Sequence, residues 1–252
     1  MTDPAGVSTT LLLAGAGGLL FGGLVKGATG LGLPTFAVPV MVTFIPLPQA
    51  MALVAFSSLA TSMWQAVEGG LFFKALRRLA PLIVTMALGV AAGAGALALV
   101  APRTVTLIIG AIVVAYALLF FARVTFTIPP QAERWAGPLA GLTVGAIGGA
   151  SMIFGPLYAV YFAALRVPKD LFVVAVSICN LFGTVFVVVA LAGYSLVNTA
   201  DLGLSLVAAV PSFAGLWLGR RLRGRLNERS FARVLALVLL AVGLILLRKA
   251  FA

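Results

Sequence analysis

Ten apolar runs follow one another along the chain with only short polar stretches between them, and this succession leaves few folds open. The runs are approximately 10–26, 33–45, 49–66, 79–100 and 104–122 in the first half, then 136–149, 153–165, 171–192, 202–219 and 231–247 in the second. A helix of about 20 apolar residues crosses a hydrocarbon core of about 30 Å. With 62% hydrophobic and 9% charged residues over 252 positions, the chain has too few polar groups to cover a soluble domain of this size. The expected fold class is an all-α polytopic membrane protein, one membrane domain over 1–252 with no soluble domain inside it.

The net charge of +11 does not point to nucleic acid, because the lysines and arginines gather in short loops between apolar runs, where they set orientation and meet lipid headgroups. Cys179 is alone and lies in an apolar run, so one chain offers neither a disulfide framework nor a cysteine metal site. Histidine, the commonest metal ligand and proton shuttle, is absent. No metal or other cofactor is expected. The first apolar run lacks a basic n-region and carries Asp3 ahead of it, so it reads as mature structure rather than as a signal peptide.

Each half opens with two short runs followed by three of spanning length, and residue identity repeats with them. Moving 122 positions from GATGLGLP, Gly27 to Pro34, lands on GASMIFGP, Gly149 to Pro156. Gly27 falls on Gly149, Ala28 on Ala150, Thr29 on Ser151, Pro34 on Pro156, and further on Ser62 falls on Thr184. The two repeats are placed at 9–123 and 135–251. If each opening pair is a broken or re-entrant hairpin before three crossings, one side of the membrane receives 13 basic residues and the other 3, namely Arg103, Arg248 and Lys249. Making each pair a single long crossing would split them 9 to 7. The positive-inside rule favours the first arrangement, which puts both termini outside the cytoplasm and inverts the second repeat relative to the first. Inverted repeats are common in secondary transporters.

At both junctions glycine, a hydroxyl and proline interrupt helical hydrogen bonding. Non-helical backbone at membrane depth needs protein or a watery cavity beside it, and freed N–H groups at a helix start receive anions. The plain alternatives are a surface turn and close helix packing. Lys26, directly before the first break, either points into a site or snorkels to the headgroups; its repeat equivalent is Gly148, so its charge is not duplicated. The third run places Ser58, Thr61, Ser62 and Gln65 near one helical face. Its counterpart aligns Ser177, Asn180 and Thr184. Such stripes line a site or tie helices together. The candidate substrate-binding residues are Lys26, Gly27, Thr29, Gly30, Gly32, Ser62, Gly149, Ser151, Gly155, Asn180 and Thr184. Trp64 reads as an interfacial aromatic, Glu68 as loop, and the cluster Arg220 to Arg233 as an orientation and headgroup signal.

Nothing in the sequence supports an enzyme: there is no G-x4-G-K-[ST] phosphate loop and no dense intramembrane carboxylate or histidine constellation. Gly27, Gly30, Gly32, Pro34 and Pro39 in GATGLGLPTFAVP, Gly149 and Pro156 in the repeat, and the half endings LGVAAGAGALALVAPRTV and AGLWLGRRLRGRLNERSF carry a likeness. Over essentially its whole length the chain resembles the sulfite exporter TauE/SafE family of membrane permeases. That resemblance implies gradient-driven or proton-coupled transport of a small organosulfur anion, such as sulfite or a C2 sulfonate, across a bacterial inner membrane. Where the usual family pattern has adjacent glycines, Leu31 and Leu33 stand between Gly30, Gly32 and Pro34, and Met152, Ile153 and Phe154 make the second copy more apolar. Such a lining suits an organic anion with a hydrocarbon spacer. A passive anion channel and a non-transporting scaffold are the competing readings. Besides the anion, the expected partners are membrane lipids and, through glycine-rich spans such as Gly89 to Ala96, a second copy in a homodimer.

Overall fold

The structure, a computed structural model, describes residues 9–122, 127–196, 203, 205–223 and 228–251. Of the basic residues counted for topology, Arg123 and Arg225 lie outside the described residues, as do the side chains of Lys169, Arg223, Arg229, Arg233 and Lys249. The described chain is all-α: α1 (Thr9–Thr29), α2 (Leu33–Val42), α3 (Leu47–Val67), α4 (Phe72–Leu99), α5 (Pro102–Ala122), α6 (Glu133–Ser151), α7 (Gly155–Ala164), α8 (Lys169–Gly193), α9 (Ala209–Arg223) and α10 (Glu228–Phe251). Short 3-10 turns at Glu68–Gly70 and Pro130–Ala132 lead into α4 and α6. Among the described residues, Leu47–Val67, Phe72–Leu99 and Leu171–Gly193 are long and apolar enough to cross a membrane.

Both opening pairs are broken helices, as expected, but only one member of each is short. α1 has 21 residues and α6 has 19, whereas α2 and α7 have 10 each. The apolar run ends at Lys26, yet the helix continues to Thr29 with the lysine side chain buried. In the second pair the helix starts earlier than the apolar run, at Glu133, whose carboxylate binds Arg78. A proline stands at the first turn of α2, α3 and α7, where no intrahelical N–H is needed.

Helix pairing follows the glycines. Gly89 packs on the backbone of Leu142 and Ala146, and Gly93 on that of Ala146 and Ala150, so α4 and α6 run parallel in close contact. Gly215 packs in the same way on Leu20 and Leu24, and Gly219 on Leu24 and Ala28, which makes α1 and α9 a second parallel pair. Small residues permit this approach where lipid supplies no hydrophobic drive between helices. α5 and α10 form another pair, in which Gly110 faces Leu247 and Gly243 faces Val114. Their contact runs antiparallel. α3 and α8 also lie antiparallel, joined by Ser58 to Thr184 and Gln65 to Ser177. The short helices α2 and α7 touch each other between these pairs.

Candidate functional site

The two helix breaks are built alike. At the first, Gly30 has φ +78° and its N–H returns to Lys26 O at 2.8 Å, a left-handed cap that ends α1. Thr29 Oγ1 donates to Val25 O at 2.8 Å and accepts from Leu31 N–H at 3.1 Å. At the second break Met152 takes φ 60° and its N–H returns to Gly148 O at 2.6 Å. Ser151 Oγ donates to Ile147 O at 2.7 Å and accepts from Ile153 N–H at 3.2 Å. All five pairs of positions are offset by 122. A left-handed methionine costs more than a left-handed glycine, so this geometry is held by its surroundings: Met152 is fully buried. Neither the Gly32 nor the Phe154 N–H has a hydrogen-bond partner among the described residues.

The breaks meet. Gly155 N–H donates to Thr35 Oγ1 at 3.2 Å, and a Cβ added to Gly155 would stand 2.5 Å from that hydroxyl and 3.4 Å from Gly32 N. Gly32 in turn lies against the Asn180 amide, where an added Cβ would be 2.6 Å from Oδ1 and 2.9 Å from Nδ2. Glycine is required at both positions for the backbones and the amide to come this close.

Lys26 points inward. It is 1% exposed, and its ammonium donates to Thr61 Oγ1 at 3.0 Å and to Ser62 Oγ at 2.7 Å on α3. Thr61 Oγ1 passes its own proton to Ser57 O at 2.6 Å. An ammonium has three N–H donors, and two are used here. No carboxylate pairs with Lys26 among the described residues: the ion pairs Arg78 to Glu133 and Arg220 to Glu68 lie at partly exposed helix ends. A lysine at the centre of a membrane helix costs about 3 kcal/mol on insertion scales and far more on an isolated helix. Two neutral hydroxyls solvate the charge without neutralising it.

Around the lysine the polar stripes of α3 and α8 face each other. Ser58 Oγ and Thr184 Oγ1 are 3.0 Å apart, and Ser177 Oγ donates to Gln65 Oε1 at 3.2 Å. Asn180 Nδ2 donates to Val176 O at 2.9 Å, and Oδ1 lies beside Gly32. That oxygen and Ser57 Oγ are buried without a hydrogen-bond partner among the described residues. Buried polar atoms are seldom left so.

The structure therefore places Ser62, Asn180 and Thr184 on the polar stripes, Lys26 of α1 against that of α3, and Gly32 and Gly155 where the breaks meet. Gly27 and Gly149 lie instead in helix contacts, against Leu216 and Arg220 of α9 and against Val90 of α4 respectively. Thr29, Ser151 and Gly30 form the caps, and Gly30 abuts Val173. Trp64 is exposed, in keeping with an interfacial aromatic. Glu68 sits in the turn after α3 and binds Arg220, so one arginine of the basic cluster ties α9 to α3. Arg221 stacks on Trp217 with its Cζ 3.8 Å from the ring centroid. A cleft of about 290 Å³ opens beside Arg78, Glu133, Arg134 and Tyr161. Its Arg78 is already held by both Glu133 oxygens, at 2.6 and 2.8 Å.

Thr35 is the residue that sequence reasoning missed. Its position 122 residues on is Leu157, so a search for duplicated polar groups passes over it. The available signal was a hydroxyl directly after the helix-starting Pro34.

In comparison with known proteins, the model of the family described as Sulfite exporter TauE/SafE matches residues 14–246. Neither a curated protein nor a solved structure matches the chain.

Proposed function

The chain belongs to the sulfite exporter TauE/SafE family and is a multi-pass membrane permease, and on that footing we propose that it is a secondary transporter whose substrate anion neutralises Lys26. The observation that carries this reading is the burial of that ammonium with a free third donor and no carboxylate partner among the described residues. An arriving anion supplies the missing counter-charge at a site already stripped of water, where electrostatic attraction is strong.

The substrate is a small sulfur-containing anion, sulfite or a C2 sulfonate. Its oxygens accept from Lys26 Nζ and from the unpaired N–H of Gly32. Asn180 Oδ1, an unpaired buried acceptor, suits the proton of hydrogensulfite or a hydroxyl or amine arm of a C2 sulfonate. Hydroxyls such as Ser62 and Thr184 hold without trapping, as transport demands. The two halves act as inverted repeats that rock about this site, driven by a proton or other ion gradient. The support lies in the matched breaks, in the reciprocal pairs α1 with α9 and α4 with α6, and in the uneven distribution of basic residues. The same asymmetry favours an inner-membrane location with both termini outside the cytoplasm.

Purified protein in liposomes tests the reading. Saturable sulfite flux that accelerates with unlabelled sulfite on the far side, and that Lys26→Met abolishes, is the expected result. Flux unaffected by Lys26→Met would remove Lys26 from the site, and large non-saturating currents would make the protein a channel.

A further inference from the structure

The space that Lys26 fills in the first half has a counterpart in the second, and something else is in it. Lys26 runs from α1 to Thr61 and Ser62 on α3. Offset by 122, these positions become Gly148 on α6 with Gly183 and Thr184 on α8. The Phe154 ring lies there. A Cβ on Gly148 would fall within the ring's edge, 2.7 Å from Cζ, and one on Gly183 would stand 3.0 to 3.3 Å from three ring atoms. Phe154 comes from the break itself, at the position equivalent to Gly32. Sizes are thus exchanged: lysine on the helix with glycine in the break in one half, glycine on the helix with phenylalanine in the break in the other. The ring is fully buried and begins a stack with Tyr158 and Phe162, at centroid distances of 6.0 and 6.2 Å.

We propose that Phe154 is an apolar stopper in a second, latent anion pocket, so that two related halves hold one anion instead of two. This rests on the Lys26 reading above for the identity of the ligand, but the stopper itself is a statement about packing. The Thr184 hydroxyl, equivalent to Ser62, is still present in the closed pocket and is bonded to Ser58 instead of a lysine. With the ring gone, the pocket keeps the Thr184 hydroxyl and lacks the charge and the second hydroxyl, since Gly183 stands at the Thr61 position. Phe154 therefore sets both stoichiometry and the space open to a longer organosulfonate.

Two measurements test this on the full-length protein in detergent. The first is a thermal-unfolding cycle of Gly148→Ala and Phe154→Ala. Gly148→Ala alone should lower Tm by about 4 °C or more, as overpacking in a protein of this size does, and should have little effect in the Phe154→Ala background. Equal effects in both backgrounds would overturn the stopper. The second is equilibrium dialysis with radiolabelled sulfite. The wild type should bind one per chain, the Phe154→Ala/Gly148→Lys variant two, and the same variant with Lys26→Met one. A folded Phe154→Ala/Gly148→Lys variant that still binds one would overturn the latent pocket alone. No binding by the wild type would overturn the anion reading while the unfolding cycle still decides the packing. Should the lysine transplant fail to fold, the uncharged cycle decides.

Discussion

The N–H of Gly155 donates to Thr35 Oγ1 at 3.2 Å, a bond that joins the start of α7 to the first turn of α2 and so ties the two helix breaks together. Neither group reaches water, since both residues are buried. Thr35→Val keeps the shape and removes the acceptor, leaving a buried donor unpaired at a cost of about 1–3 kcal/mol. Thr35→Ser keeps the acceptor. Thermal unfolding in detergent should therefore show Thr35→Val clearly less stable than Thr35→Ser, and equal stabilities would mean that the bond contributes nothing.

Lys26 should be felt in binding before it is felt in the fold. Its ammonium has only hydroxyl partners, so Lys26→Met removes a buried charge that nothing inside the described protein neutralises. The unliganded protein should be no less stable than wild type, because exchanging a buried charge for an apolar chain of similar length relieves desolvation. Sulfite should raise the Tm of the wild type, since a ligand that binds only the folded state stabilises it. In Lys26→Met that rise should vanish. One charge-assisted hydrogen bond at about 1.5–3 kcal/mol corresponds to roughly 10- to 150-fold in affinity. A preserved Tm rise would place the anion elsewhere.

How much of this was legible in the sequence depends on what each residue type can distinguish. The segment order was legible because long apolar runs have few alternatives, and the breaks were legible because Gly-Ala-hydroxyl recurs at a fixed offset ahead of proline. The direction of Lys26 was not. A lysine near the end of an apolar run reads the same whether it snorkels outward or turns inward, and only its burial against Thr61 and Ser62 shows that it turns inward. Gly27 and Gly149 show the same ambiguity: glycine serves an anion nest and a helix contact equally well, and both residues lie in helix contacts here. Phe154 carried no polar signal at all. Its position becomes informative only when its ring is seen across from Gly148 and Gly183.

The parallel pairs α1 with α9 and α4 with α6 should both depend on the glycines at their contacts, unlike a glycine outside them. A Cβ at Gly93 or Gly219 would land on the backbone carbonyl of Ala146 or Leu24, which no rotamer change can relieve. Gly193, at the end of α8, has nothing among the described residues within 4 Å of such a Cβ. Gly93→Ala and Gly219→Ala should each lower stability by about 1–3 kcal/mol or force the pair apart, while Gly193→Ala should stay within about 0.5 kcal/mol of wild type. Mild-detergent unfolding followed by circular dichroism separates the two classes. Equal responses would show that the helices do not pack through these faces.

Asn180 and Thr29, the first at the junction of the breaks and the second a cap of α1, should fail differently. Thr29 Oγ1 uses its proton on Val25 O and accepts from Leu31 N–H, so its hydroxyl finishes α1. Thr29→Ala should cost about 1 kcal/mol of stability, as the loss of a helix cap does, with a secondary effect on binding. Among the described residues Asn180 Oδ1 has no partner to lose, and the Nδ2 bond to Val176 O lies within α8 itself. Asn180→Ala removes an unsatisfied buried acceptor and opens space beside Gly32, so sulfite affinity should fall about tenfold, the worth of one hydrogen bond to a charged ligand, with Tm nearly unchanged. Ser151→Ala, the counterpart of Thr29→Ala at the second break, should share its stability loss because Ser151 makes the same two bonds. Measuring Tm with and without sulfite on the three variants yields both quantities at once. If Asn180→Ala loses stability and keeps its affinity, the amide is a packing element of α8, and the site must be drawn around Lys26 and Ser62 alone.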